Sequence, residues 1–356
     1  MLYKLTEDKL SKKTSYCGGL LTIKESKTED DKVIRLFGLQ IFRKKKRLKP
    51  TKTNLLNAIL KKAPNYDDYY IFTSRSGEFY LFMHHLDEIL TKNNSKNYLL
   101  VFTAKYHAQI FTMLHPNNNN FIYQNEPQGY YYNDITRNTH IKFANKNFYI
   151  PFFTTYFQSV ENKIRNEGNH YYECLKSHLQ LTDAQKITPY IDDENKNKIK
   201  KYATHSLNNN FIFLSPESQS NVLLEKTFWT KLTNELTAKG YKIFNNIIDD
   251  SNKIENTETT FLTFPQALEL AQYAKAIIGL RSGFIETIAS YKDKPYHILY
   301  TNFPQRGHNF APLKSDKVLS GFSLKKLPNI NPENIFEYDL NKIKEDDIIK
   351  EIVSNL

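Results

Sequence analysis

The sequence predicts an α/β protein in which two successive halves each form a parallel sheet flanked by helices, preceded by a small basic β-hairpin. Three observations lead there. Strand-like and helix-like stretches alternate in two series along the 356 residues, the pattern of helices covering parallel strands. The length favours more than one domain, since single cores stop growing well below it. The charge is segregated: of a net surplus of +11, nine positive charges fall within residues 1–52, so the rest of the chain is nearly neutral. A 40% hydrophobic content is ample for packed cores and excludes a mainly disordered chain.

Residues 1–52 read as the appendage, with strands at 16–23 and 33–42 around a polar turn at 24–32. The run Arg43-Lys44-Lys45-Lys46-Arg47 follows the apolar stretch 36–42, so a strand or hairpin edge carries a concentrated positive tip. Such a tip attracts nucleic acid or the anionic face of a membrane, the latter at about 1 kcal/mol per basic residue near the surface. A solvated basic surface without a partner is the other reading. Cys17 and Cys174 stand far apart with no CxxC spacing, so neither a disulfide framework nor a zinc site is expected. The first ten residues mix Lys, Glu and Asp with Leu, and no apolar run approaches about 18 residues. A cytoplasmic protein is expected, peripheral at most at the inner face of the inner membrane.

The first half is expected over 53–185. Leu55, Leu56, Ile59 and Leu60 mark a helix, 69–73 a strand, 74–78 a turn and 79–90 a helix with apolar residues at helical spacing. Strand 98–102, helix 106–114 and strand 121–123 follow, with Pro116 and Asn117 to Asn120 as the loop. Strands are expected near 140–143 and 148–152, then one long helix over 155–179. The polar stretch 182–210 reads as a connection carrying a surface helix. The second half, 186–330, has strands at 210–214, 241–247, 276–280 and 296–300 and helices at 228–239, 264–273 and 283–291. Residues 331–356 are set apart as a helical segment with a helix at 345–354.

Ligands of open parallel sheets bind beyond the carboxyl ends of the strands. The most informative turn there is Leu280-Arg281-Ser282-Gly283-Phe284-Ile285-Glu286, a strand running directly into a helix. Free backbone N–H groups and the helix dipole meet the Arg281 guanidinium and the Ser282 hydroxyl, an arrangement that suits a pyrophosphate. The alternative is a tight turn that needs Gly283 for its geometry, with Arg281 paired to a surface carboxylate. Ser215-Pro216-Glu217-Ser218 follows the first strand of this half and offers oxygens to phosphate or ribose; helix capping by Ser218 or Ser220 is equally open. Thr263 and Gln266 open a helix whose first turn can receive a base, or are ordinary first-turn residues. Arg306-Gly307-His308 follows the strand at 296–300 and adds a cation and an ionisable group, or is plain loop. His84-His85 reads as packed, and Tyr130 to Tyr132 as a loop that can stack on sugar rings.

These residues carry a resemblance. The Ser215-to-Ser218 turn, the Phe228-Trp229 helix ending before Gly240-Tyr241, Leu262-Thr263-Phe264-Pro265-Gln266 and Gly279-Leu280-Arg281-Ser282-Gly283 look like the C-terminal half of bacterial capsule and lipopolysaccharide glycosyltransferases of GT-B type. So do Leu299-Tyr300 and Gly321-Phe322-Ser323-Leu324-Lys325. The Arg281-Ser282-Gly283 turn resembles, more loosely, the donor-binding segment of α1,6-fucosyltransferases. The first half is similar in layout to heptosyltransferases, whose first strand ends in a Gly-Asp turn that supplies the proposed base; here Ser76-Gly77-Glu78 stands there, with Glu for Asp. The hairpin over 36–47 resembles basic N-terminal additions of surface-polysaccharide transferases.

The resemblance implies two Rossmann-like domains of GT-B type. It also implies transfer of a sugar from a nucleotide-diphosphate sugar to a glycan or lipid-linked acceptor, inverting and metal-independent, with no cofactor besides the donor. Glu78 is then the candidate base for the acceptor hydroxyl, with a charge at its helix N-terminus as the alternative. Arg281, Ser282 and Gly283 would hold the leaving diphosphate, Ser215, Glu217 and Ser218 would line the donor pocket, and Thr263, Gln266, Arg306 and His308 would complete it. Arg75, Ser76 and Gly77 fall on the acceptor side. Asp192-Asp193, Asp249-Asp250 and Asp346-Asp347 are adjacent pairs in polar segments, not a DxD at a strand end. The rivals are another nucleotide-sugar enzyme such as a 2-epimerase, and a nucleic-acid-binding protein using the 43–47 run, whose binding would fall steeply with salt.

Overall fold

The computed structural model describes residues 3–7, 11–16, 21–26, 31–36, 39–45, 52–124, 140–151, 154–204, 210–289, 294–304, 312–328 and 330–356. They fall into two compact units, one centred on residues 1–61 and one holding both parallel sheets.

The first unit is a five-stranded antiparallel meander, not the two-stranded hairpin expected. Tyr3–Glu7 (β1), Ser11–Tyr16 (β2), Leu21–Ser26 (β3), Asp31–Leu36 (β4) and Leu39–Lys45 (β5) pair in sequence order. Some of the polar residues read as a turn belong to strands instead, Lys24 to Ser26 to β3 and Asp31 and Lys32 to β4. In the backbone register Glu7 is the Cα partner of Lys12, Lys12 of Glu25 and Glu25 of Lys32. Part of the basic run lies on an edge strand of this sheet. Arg43, Lys44 and Lys45 lie inside the edge strand β5, opposite Val33, Lys32 and Asp31, and only Lys46 and Arg47 fall outside the described residues. Basic residues on an edge strand discourage pairing with another chain.

The helix Lys52–Lys62 (α1) buries Leu55, Leu56 and Ile59. Beyond it lies the first parallel sheet, built from Asp68–Phe72 (β6), Tyr98–Phe102 (β7), Phe121–Tyr123 (β8), His140–Phe143 (β9) and Lys146–Tyr149 (β10). The order is β8-β7-β6-β10-β9, and every pairing is parallel except β9 with β10. Tyr69, Tyr70, Ile71 and Phe72 are all buried, as expected of a strand covered on both faces.

Two helices expected as continuous are broken. The first divides into Ser76–Met83 (α2) and Leu86–Lys92 (α3) at His84 and His85. Both imidazoles are buried and bonded elsewhere, His84 Nδ1 to the Gln185 carbonyl and His85 Nε2 to Tyr172 Oη, each at 3.0 Å. After Lys105–Leu114 (α4), the second divides into Thr154–Glu167 (α5) and Tyr171–Leu179 (α6). Gly168 adopts a φ of +70° between them, a conformation that an L side chain resists, and His170 Nδ1 accepts from the Tyr172 N–H to start the second helix.

Asp193–Thr204 (α7) is the surface helix of the connection. The second sheet contains Phe211–Ser215 (β11), Lys242–Asn246 (β12), Glu258–Thr260 (β13), Ala276–Leu280 (β14), Tyr296–Tyr300 (β15) and Ile335–Asp339 (β16), all parallel, in the order β13-β12-β11-β14-β15-β16. Counted within this half, that is 3-2-1-4-5-6, the doubly wound order of dinucleotide-binding sheets, with its switch point between β11 and β14. Its helices are Lys226–Ala238 (α8), Phe264–Ala271 (α9), Gly283–Ala289 (α10), Ser315–Phe322 (α11) and Glu345–Ser354 (α12). Residues 331–356, set apart in the sequence reading, supply the last strand of this sheet, and α12 packs on α8. Neither β13 nor β16 is expected from sequence, because Glu-Thr-Thr is short and polar and β16 carries Glu337 and Asp339 among its apolar residues.

The two sheets share one core. Phe72, Phe79, Phe82, Phe102 and Phe111 of the first half join Phe211, Phe213, Ala267 and Ile285 of the second, while Phe228, Trp229, Leu232 and Ile348 form a separate cluster on the far face of the second sheet. Cys174 is buried and unpaired, and Cys17 lies outside the described residues. Among the described residues no helix is long and apolar enough to cross a membrane.

Candidate functional site

The carboxyl end of β6 and the carboxyl ends of β11 and β14 meet. The helix after β6 begins at Ser76, earlier than expected, so Ser76, Gly77 and Glu78 form its first turn. The preceding turn is anchored by the Ser74 carbonyl, which accepts from Tyr106 Oη and His107 Nε2, each at 2.9 Å. Across from it, β14 runs through Arg281 and Ser282 into α10. A Cβ built on Gly77 would land on Glu286 Oε2, and one built on Gly283 would land on the Gly77 nitrogen and 2.5 Å from Ser76 Oγ. Neither glycine has a positive φ; what both supply is room for two helix starts to touch. Arg75 Nη1 adds a bond of 2.5 Å to Ser220 Oγ in the loop after β11, and the Phe264 N–H at the start of α9 reaches Gln109 Oε1 of α4 at 3.4 Å.

At the centre of this contact Arg281 is paired with Glu286, and their side chains are 8% and 0% exposed. Tyr171 Oη donates to Glu286 Oε2 at 2.9 Å, and the guanidinium carbon lies 4.4 Å from the centre of the Phe322 ring, 5.6 Å from Tyr171 and 5.8 Å from Phe303. The partner of Arg281 is thus a buried carboxylate, not the surface one allowed for above. Burial works against the Arg281 cation, but Glu286, Tyr171 and Glu78 outweigh it and raise its pKa further. Burial also pushes the Glu286 carboxyl upward, against the pull of Arg281 and with the like charge of Glu78. Half-buried Glu78 therefore lies close enough to act on this pair electrostatically.

The segment that follows Phe322 is held by a second carboxylate. Glu337 Oε1 accepts from Tyr300 Oη at 2.6 Å and the Leu324 N–H at 2.8 Å, and Glu337 Oε2 accepts from Ser323 Oγ at 2.8 Å. His170 Nε2, from the start of α6, donates to the Ser323 carbonyl at 3.0 Å. Sequence reasoning assigned no role to Glu286, Tyr171 or Glu337. The available signal was an acid in the otherwise apolar Gly-Phe-Ile-Glu-Thr-Ile-Ala helix.

The structure thus joins Arg75, Ser76, Gly77 and Glu78 with Arg281, Ser282 and Gly283. Ser282 Oγ accepts from the Ile285 N–H at 3.2 Å and so caps α10. Ser215 is buried at the end of β11, where the close approach of its carbonyl leaves no room for a Cβ on Gly279. Glu217 braces two loops: its carboxylate accepts from the Ile248 N–H at 2.6 Å, the Asp249 N–H at 3.1 Å and Asn252 Nδ2 at 2.6 Å. Ser218 Oγ accepts from the Ser220 N–H at 3.3 Å and caps no helix, since α8 begins at Lys226. Thr263 and Gln266 open α9, with Gln266 Oε1 accepting from the Thr263 N–H at 3.1 Å. Arg306, His308 and Tyr130 to Tyr132 lie outside the described residues. Among the described residues no group of three or more His, Cys, Asp or Glu is placed to hold a metal ion.

No protein-family model matches the chain, and no curated protein matches it. Among solved structures it is similar to a glycosyl transferase family 9 protein from Veillonella parvula, at 13% identity and a TM-score of 0.47 over 81% of this chain and 97% of that one. It is also similar to TibC, an iron-containing dodecameric glycosyltransferase of enterotoxigenic E. coli, at 11% identity and 0.47 over 91% and 82%. A third is the E. coli ADP-heptose LPS heptosyltransferase II, at 9% identity and 0.46 over 81% and 98%.

Proposed function

We propose that the chain is a glycosyltransferase that moves a sugar from a nucleotide-diphosphate sugar to a hydroxyl of a glycan or lipid-linked acceptor in bacterial surface-polysaccharide synthesis. The observation that carries this reading is the meeting of Arg75 to Glu78, beyond β6, with Arg281 to Glu286, beyond the switch point of a 3-2-1-4-5-6 sheet. Nucleotides bind at that point of such sheets, and the facing turn supplies a carboxylate within electrostatic reach. In this reading Arg281 and the α10 start take the leaving diphosphate, and Glu78 takes the proton of the attacking hydroxyl, with inversion and without a metal. Arg281 and Gly283 are engaged by protein groups, so a donor enters by replacing those contacts.

Calorimetry against ADP-, GDP-, UDP- and CMP-sugars tests the proposal, and binding of none of them removes it. Glu78→Gln is expected to keep donor affinity and lower kcat by about 10²–10⁴-fold, the usual worth of a general base; retained turnover would exclude Glu78. Release of free nucleotide without any acceptor would favour the 2-epimerase alternative.

The basic strand belongs to a second proposal, peripheral contact with an anionic membrane through Arg43, Lys44, Lys45, Lys46 and Arg47. Replacing these five by Gln is expected to weaken sedimentation with phosphatidylserine vesicles while sparing turnover of soluble donor. Vesicle binding that stays the same would return the run to solvated edge strand.

A further inference from the structure

We propose that Glu286 is the resident anion of Arg281, a carboxylate that holds the guanidinium in the closed protein and is displaced by the diphosphate of an entering ligand. This rests on the nucleotide-sugar reading of the same turn and adds to it the group that the ligand must replace.

Arg281 is 6% exposed and Glu286 0%. A guanidinium that deep cannot stand without a counter-charge, and Glu286 provides one from the first turn of the helix that Arg281 precedes. The pairing is incomplete. Arg281 Nη2 meets Glu286 Oε1, while Arg281 Nε has no hydrogen-bond partner among the described residues, so the planar fork of the guanidinium is only partly used. A diphosphate, with more oxygens and more charge, satisfies such a fork in the bidentate way that a misaligned carboxylate does not. The surroundings are already built for an anion: the Phe322, Tyr171 and Phe303 rings around the cation keep water away and strengthen whatever ion pair forms there. Among the described residues, Tyr171 Oη, at 2.9 Å from Glu286 Oε2, is the neutral side-chain donor that holds the carboxylate in place.

The same carboxylate sits over Gly77, where a Cβ would collide with it. Moving it away from Arg281 therefore also loosens the contact between the first turns of α2 and α10. Ligand binding and parting of the two turns become one event, in which the anion replaces Glu286 and the acceptor side gains room.

The experiment measures binding of inorganic diphosphate, ADP, GDP and UDP to the full chain by calorimetry, with the melting temperature followed in parallel, for the wild type, Glu286→Gln and Tyr171→Phe. Glu286→Gln is expected to melt lower than wild type without ligand and to bind diphosphate at least about tenfold more tightly, a gain of ~1.4 kcal/mol. Tyr171→Phe keeps the charge and the ring, and is expected to shift affinity the same way by less; it serves if Glu286→Gln does not fold. Nucleoside diphosphates that bind all three forms equally would overturn the role of Glu286 and leave the proposed function standing. Tighter inorganic diphosphate in the variants, with no nucleoside diphosphate bound by any form, would uphold the exchange and reject the nucleotide-sugar reading. Diphosphate bound by no form overturns both.

Discussion

Arg281→Ala is expected to lower the unfolding free energy by about 3–5 kcal/mol, the usual cost of stranding one partner of a buried ion pair. The substitution leaves the Glu286 carboxylate fully buried with Tyr171 Oη as its side-chain donor among the described residues. It also removes the cation from above the Phe322 ring. Urea titration reads the effect as a shift of the midpoint with little change in slope. Adding Glu286→Leu is expected to recover part of the loss, because Leu leaves no stranded charge while the space vacated at 281 remains. A loss below about 1 kcal/mol would mean that the pair is solvated in the folded protein, and would remove the basis for treating Arg281 as a guarded cation. The single variant alone is a poor assay of donor binding, since it would reduce activity through folding; the double variant separates the two.

Acidification from about pH 6.5 to 4 is expected to unfold the protein. Burial lowers the pKa values of His84, His107 and His297 to about 4 and that of His170 to about 3. Each ring is neutral in the fold; His84, His107 and His297 use one nitrogen, and His170 uses both. His107 Nε2 donates to the Ser74 carbonyl and His84 Nδ1 to the Gln185 carbonyl, while His107 Nδ1, His84 Nε2 and His297 Nε2 have no partner. Protonation would create a buried N–H with nothing to accept it. The sign follows from the lowered folded values. The unfolded chain binds protons below about pH 6.5, the fold does not until about pH 4, and stability is complete above the first and drains away toward the second. Each group contributes on the order of 3 kcal/mol across that interval, so four together match the whole stability of an ordinary domain. Melting temperature measured from pH 7.5 to 4 should fall throughout the lower half. A flat profile would show that these imidazoles are hydrated or already charged, and His107→Gln should flatten the decline without removing it.

Both series of alternating elements were legible in the chain because buried parallel strands announce themselves by composition. Tyr69 to Phe72, Leu99 to Phe102, Phe211 to Leu214 and Ala276 to Leu280 are continuous apolar runs, and all are buried. Elements with weak composition were not legible. Glu258–Thr260 and Ile335–Asp339 are strands only because a neighbouring strand offers its open edge. The strands of the first unit run through charged residues, which apolar periodicity does not reveal. The helix breaks at Gly168 and at His84-His85 turn on a left-handed φ and on two imidazoles whose hydrogen-bond partners lie far along the chain.

By itself the sequence determined which segments are covered strands and which turns stand at their carboxyl ends, because strand burial and helix starts are written in local residue types. It therefore singled out Arg75 to Glu78 and Arg281 to Gly283 separately. Only the tertiary structure decided that these turns touch through Gly77 and Gly283, that Glu217 braces two loops, and that the counter-charge of Arg281 is Glu286. The reason is physical: whether a charge is solvated, paired or boxed by aromatic rings depends on what packs over it. Here the covering groups, Tyr171, Phe303 and Phe322, come from segments far from Arg281 or beyond the next strand, which no local pattern around Arg281 could specify.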